Sequence, residues 1–212
     1  MREILMLIME LLGTVSFAVS GALVAIACGL DLFGVLTVGT ITAVGGGITR
    51  DVIIGQTPPN VFSNPQILLL AVATALVVFV IAYANSKRIK DLSKKIDGIN
   101  IFFDAVGLAA FSVTGVEITC AAGFSKNVVL VILLGVITGV GGGVLRDVLV
   151  NEKPYILVKH IYAVASIIGS GVYYLIGIRL GHELIGTLAS VLLTITIRLL
   201  AAKFRWNLPK VM

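Results

Sequence analysis

The sequence predicts an all-α membrane protein: seven transmembrane helices in an inverted 3+3 repeat, plus one extra C-terminal helix. Three observations predict it. The 212 residues are 58% hydrophobic and only 13% charged, with a mean hydropathy of +1.08, too little charge to solvate the surface of a soluble domain. Seven stretches each approach the roughly 20 apolar residues that a helix needs to cross the hydrocarbon core. Finally, GGGITRD at 45–51 returns 96 residues later as GGGVLRD at 141–147.

The predicted spans are 4–28, 34–54, 65–85, 101–122, 127–150, 156–178 and 182–202. Asp31 marks the first break and TPPN at 57–60 the second, prolines following a helix end. The charged run KRIKDLSKKID at 87–97 separates the third and fourth spans, and Lys126, the EKP at 152–154 and the Arg179–Glu183 patch supply the remaining breaks. No cleavable signal peptide is expected, because no small-residue cleavage site precedes a polar mature sequence.

Seven spans put the termini on opposite sides. Lys87, Arg88, Lys90, Lys94, Lys95, Lys153, Lys159, Arg198, Lys203, Arg205 and Lys210 then fall to one side, against Arg2, Lys126 and Arg179 on the other. The positive-inside bias predicts an outside N-terminus and a cytoplasmic C-terminus in a prokaryotic plasma membrane. The net charge of +5 therefore reflects topology, and no nucleic-acid partner is predicted, since no aromatic-basic motif accompanies it. Cys28 and Cys120 end spans on opposite sides, which excludes a disulfide between them.

The duplication extends beyond the glycines. E10LLGTVSFAVSG21 aligns with D104AVGLAAFSVTG115, matching Gly13 with Gly107, Phe17 with Phe111, Ser20 with Thr114 and Gly21 with Gly115. Pro58 aligns with Pro154 in the frame of the GGGxxRD motifs. A unit of three spans forces the second copy to enter the membrane inverted, an architecture of transport proteins whose sites lie at the repeat interface. The expected organisation is one membrane domain over 1–212: a first repeat at 1–86, an inverted second repeat at 100–178, a seventh helix at 182–202 and a cytoplasmic tail at 203–212.

These residues resemble a known family. The paired GGGxxRD motifs, the repeated [DE]xxGxxxFxxxG and the seven spans look like the prokaryotic branch of the trimeric intracellular cation (TRIC) channel family, over nearly the whole chain. The resemblance implies a homotrimer with one pore per protomer, lined by the second and fifth spans kinked at their glycines. It also implies conduction of monovalent cations, chiefly K⁺ and also Na⁺. The animal members' Lys-Glu-Val motif is absent from the second span, so their gating is not carried over. Bacterial relatives associated with glycine transport imply a rival: an alternating-access carrier of a small zwitterion such as glycine.

Read bottom-up, the run Gly45, Gly46, Gly47 and the run Gly141, Gly142, Gly143 each sit near mid-depth, and three glycines together weaken a helix by about 3 kcal/mol. A kink there would free carbonyls near Gly45 and Gly141 to replace water around a monovalent cation; close helix packing is the alternative. Arg50 and Asp51, like Arg146 and Asp147, point about 100° apart on a helix and are not expected to neutralise each other. Depth-matching at about 1.5 Å per residue instead pairs Arg50 with Glu10 and Arg146 with Asp104, and an unpaired charge at such depth costs on the order of 3 kcal/mol.

Glu117, aligned with Leu23, is a candidate mouth acid or an idle snorkelling or protonated side chain. Ser20 and Thr114 are candidate path hydroxyls, with back-bonding to their own helix as the alternative. His160 and His182 are too far apart for a metal site, Trp206 reads as an interfacial anchor among basic residues, and the basic 87–95 loop is explained by topology before lipid binding. No HExxH, GxSxG or P-loop is present, so no enzyme and no cofactor is predicted; bound K⁺ or Na⁺ and membrane lipid are the non-protein components this reading admits.

Overall fold

The structure, a computed structural model, describes residues 2–85, 93–158 and 161–206, without the side chains of 93–96 and Val158. Lys87, Arg88, Lys90, Lys159, His160 and Lys210 lie outside the described residues, as do the side chains of Lys94 and Lys95. The elements are α1 (Arg2–Ala27), α2 (Leu32–Ile53), a short α3 (Asn60–Ser63), α4 (Pro65–Ala84), α5 (Ser93–Thr119, prolonged by a π-helical turn Cys120–Phe124), α6 (Val128–Leu149), a short α7 (Tyr155–Val158), α8 (Tyr162–Val172, prolonged by a π-helical stretch Tyr173–Arg179) and α9 (Glu183–Phe204). Seven of these stretches are long and apolar enough to cross a membrane. The sixth span differs from the expected 156–178: Tyr155–Val158 forms its own turn and the long helix starts at Tyr162.

Local chemistry sets the ends, and it sets them alike in both halves. The Asp31 side chain accepts from Gly34 N at the start of α2 (2.8 Å), and Asn127 does the same for Leu130 N at the start of α6 (3.1 Å), each satisfying an orphan donor. At the other end, Gly55 (φ 78) and Asn151 (φ 58) take the left-handed conformation that closes a helix. Gln56 N donates back to Asp51 O and Glu152 N to Asp147 O, both at 2.8 Å. Pro65 opens α4 at a first-turn position where its missing N–H costs nothing.

Helices α1, α2, α5 and α6 form the centre; α4 leans on α1 and α2, while α8 leans on α6 and α5. The contacts between halves are reciprocal. Phe17 and Phe111 meet edge to face at 5.3 Å, each ring lying where a Cβ on the other half's glycine, Gly107 or Gly13, would stand. Lipid offers apolar side chains as good a home as the core does, so such helices associate through close packing. Their outward residues stay apolar, as at Leu69 and Val129.

The GGG runs do not open their helices. Both α2 and α6 continue as α-helix through all three glycines, and none of the six has positive φ. The carbonyls that a kink was expected to free there stay within unbroken helix, and the glycines serve contact. A Cβ on Gly46 would overlap the Thr138 carbonyl, one on Gly142 the Thr42 carbonyl, and one on Gly141 would lie 3.1 Å from Gly46 Cα. Thr42 and Thr138 bond their hydroxyls back to Val38 O and Leu134 O, both at 2.6 Å. Two helices thus touch backbone to backbone, where any side chain would hold them apart.

Gly142→Ala should accordingly destabilise by about 1–3 kcal/mol through overpacking. Gly171, helical but with nothing within 4 Å of its absent Cβ, should accept alanine with no loss. Thermal unfolding of the two purified variants in detergent distinguishes a packing role from generic helix propensity, which would stabilise both.

Candidate ion path and its charged clamps

Each GGGxxRD motif ends in an arginine buried against its own aspartate. Arg50 donates through Nε and Nη2 to Asp51 Oδ1 at 2.9 and 2.7 Å, and Arg146 Nε donates to Asp147 Oδ1 at 2.8 Å. This overturns the expectation that sequence neighbours would not pair. The two side chains leave the helix in different directions, but the arginine stem is long enough to curl back. The second carboxylate oxygen then accepts the first N–H of the following short helix: Asn60 N to Asp51 Oδ2 at 2.9 Å and Tyr155 N to Asp147 Oδ2 at 2.8 Å. Each aspartate therefore joins its arginine to the returning chain.

Beyond this shared core the halves differ. Arg146 Nη1 also donates to Asp104 Oδ1 (2.8 Å) and to Ser20 Oγ (2.7 Å), and Ser20 Oγ donates to Asn100 Oδ1 (2.7 Å). Ser20 thus bonds across to the other half and is fully buried. In the first half, Glu10 makes no ion pair with Arg50 within 4 Å among the described residues, contrary to the expected clamp. Asp51 already satisfies Arg50, and Glu10 stays half-buried on the wall of a cavity of about 90 Å³. Thr14, Arg50, Thr114 and Thr138 share that wall. The volume exceeds the 10–15 Å³ or so that one water needs. Thr114 keeps only a long back-bond, 3.4 Å to Phe111 O. A second cavity of about 180 Å³ lies among Cys28, Asp97, Asn100, Asp147 and Glu152.

Of two charges counted as loop residues, one belongs to the interior and the other is tied to a buried acid while its own side chain stays 47% exposed. Arg198, on α9, is 2% exposed, with Nη2 3.6 Å from Asp104 Oδ2 and its guanidinium 4.3 Å from the Tyr162 ring centroid. Its place four residues inside the predicted seventh span was the available signal, because a charge within a span is a site by default. Arg2 lies on α1, ion-paired with Glu117 and 3.4 Å from Glu183. Glu117 is buried and also accepts from Tyr173 Oη at 2.7 Å. With Arg2 it fastens α1, α5, α8 and α9 together at one end of the bundle, and it does not line the cavity of about 90 Å³.

Of the glycines, Gly47 borders the 90 Å³ cavity. Gly45 O accepts an extra bond from Thr49 Oγ1 at 2.8 Å, and Gly143 faces Tyr162, Arg146 and Asp104. Both cysteines are free. Cys28, just past the end of α1, has its thiol pushed up, first by partial burial and then by the Glu152 and Asp147 carboxylates. Among the described residues no cluster of His, Cys, Asp or Glu could hold a metal ion.

A seven-helix membrane protein, its two halves crossing at glycine runs and each closed by an Arg-Asp clamp, is the class these features define. The family model described as glycine transporter matches the chain twice, over 7–83 and 101–177. The chain is 36% identical over 205 residues to the UPF0126 inner membrane protein YadS of Escherichia coli (strain K12), covering 95% of this chain and 93% of that one. It is 31% identical over 202 residues to the UPF0126 membrane protein YvgT of Bacillus subtilis (strain 168), covering 95% and 94%.

Among solved structures, a prokaryotic TRIC channel crystallised in 0.5 M KCl superposes with a TM-score of 0.85 at 35% identity, over 98% of this chain and 100% of that one. The TRIC trimeric intracellular cation channel orthologue from Rhodobacter sphaeroides gives 0.82 at 30% identity, over 94% and 97%. The chain belongs to this glycine transporter family, and the UPF0126 proteins and prokaryotic TRIC channels are its relatives.

The clamps differ in what their removal costs. Asp104→Asn withdraws the shared partner of two buried guanidiniums and should lower stability by about 3 kcal/mol or more. Glu10→Gln, at a carboxylate with no ion pair, should cost less than about 1 kcal/mol. Thermal melts of the two variants side by side check the ranking.

Proposed function

We propose that the protein conducts monovalent cations, K⁺ and also Na⁺, through one path per protomer between α2 and α6, the second and fifth spans, in a homotrimer in the prokaryotic plasma membrane. Similarity to TRIC cation channels at 35–37% identity over 97–98% of the chain carries the reading. The layout of charge supports it. A carboxylate without an ion pair, Glu10, and the hydroxyl-bearing residues Thr14, Thr114 and Thr138 border a cavity that ends at the glycine crossing. Acids and hydroxyls there would replace part of an ion's water shell.

At the crossing the path is shut, since the helices meet backbone to backbone. On the opposite side Arg146, held by Asp104 and Ser20, closes the way beyond the crossing. The two halves are inverted copies, 1–86 and 100–178, with the N-terminus outside and the C-terminus cytoplasmic. Burying Arg198 removes one charge from the cytoplasmic count and leaves the bias intact.

Two measurements test this. Purified protein in planar bilayers should give unitary currents carried by K⁺ alone. Saturable glycine uptake into liposomes without unitary currents would replace the channel by a carrier. For topology, a membrane-impermeant maleimide should spare Cys28 in intact cells and label it in inverted membrane vesicles. Because its thiol lies above the ordinary range, labelling should accelerate as pH rises; Cys28 labelling in intact cells would reverse the orientation.

A further inference from the structure

We propose that Arg198 makes cation passage directional by cancelling the carboxylate charge of the inner half. The proposal rests on the channel reading above and concerns the same path. Glu10 and Asp104 are equivalent in the repeat, as are Arg50 and Arg146, and Asp51 and Asp147. Taken alone, each set of three carries one negative charge in excess. In the first half that excess persists: Arg50 is bound to Asp51, and Glu10 stands on the cavity wall with no ion pair within 4 Å among the described residues.

In the second half the excess is gone. Helix α9 lies outside the repeat and has no counterpart in the first half, and it delivers the Arg198 guanidinium to Asp104. The contact is ionic in character. Among the described residues, Asp104 Oδ2, Arg198 Nε and Arg198 Nη1 make no hydrogen bond within 3.5 Å, although all are buried. Charge and the face of Tyr162 hold the guanidinium in place. Arg198 therefore occupies, as a tethered cation, the position beside Asp104 that a permeating ion can take beside Glu10.

Buried charges escape most of the screening that salt applies at the surface. Beside Glu10 an ion meets a net negative wall, whereas beside Asp104 the charge is cancelled; Asp97 and Glu152, which line the separate cavity of about 180 Å³, lie outside this balance. Entry, and with it current, is favoured from the Glu10 side. Arg198 touches no ion in this scheme; it is a positioning residue that acts through Asp104.

The test is the ratio of single-channel K⁺ currents at equal and opposite voltages, in symmetrical solutions, from full-length protein in planar bilayers. The wild type should rectify, and Arg198→Gln should bring the ratio toward one by at least about threefold, because a unit charge inside the bundle is restored. Arg198→Lys keeps the charge and should keep the ratio, which a purely structural role for the guanidinium would not predict. Glu10→Gln, which needs no buried repacking, should also bring the ratio toward one, with smaller currents, and it decides the matter if Arg198→Gln fails to fold. A wild-type ratio of one, or a ratio unchanged in both Arg198→Gln and Glu10→Gln, overturns the proposal while leaving a cation channel. Absence of any K⁺ current overturns the channel reading itself and this proposal with it.

Discussion

Everything in this fold follows from the crossing of α2 and α6. Gly46 lies against the Thr138 carbonyl and Gly142 against the Thr42 carbonyl, so the two helices approach as closely as backbones allow. No hydrophobic force drives helices together in lipid, and dispersion gained by close contact must do it. The flanking positions serve the same approach: Gly21 and Gly115 of α1 and α5 admit Thr42 and Thr138, whose hydroxyls would lie 2.5 and 2.6 Å from an added Cβ. Around this contact the four central helices pack on one another, with α4 against α1 and α2 and with α8 against α6, α5 and α9.

The crossing also dictates where charge can go. A guanidinium cannot share the glycine contact, so each arginine lies one turn beyond it and must find its partners there. Its neighbouring aspartate is the nearest acid, and that aspartate is itself anchored by the first N–H of the returning chain. Buried ion pairs of this kind do not stabilise by their attraction alone, since desolvation offsets it. They fix geometry: the turn after α2 and the turn after α6 are tied to the helix ends that they follow.

How much of this the sequence discloses depends on the range of the interaction. Helix caps and stops are local, and Asp31 and the TPPN run were legible as breaks. Spans were legible because lipid demands a minimum apolar length. The doubled motif announced where the halves meet, but three glycines permit either a broken helix or a close contact, and only the facing carbonyls of Thr42 and Thr138 decide. Depth placed Asp104 level with Arg146, and the two lie 2.8 Å apart. The same reasoning placed Glu10 level with Arg50, where proximity along the chain gave Asp51 the bond instead. Depth fixes one coordinate of three, and the competition between a near neighbour and a level one is settled by the other two.

Arg198 illustrates a different blindness. A positive charge four residues from the end of a predicted span fits a snorkelling residue at the interface as well as a buried one. Which of these holds depends on the neighbour toward which the helix turns that residue. Helix α9 packs on α5 and α8, and α5 carries Asp104 and α8 carries Tyr162, so the side chain turns inward. The two halves share one contact and one Arg-Asp clamp each, and α9 brings Arg198 to Asp104 of the second half alone. The surroundings of Asp104 are therefore set as much by α9 as by the residues that the halves have in common.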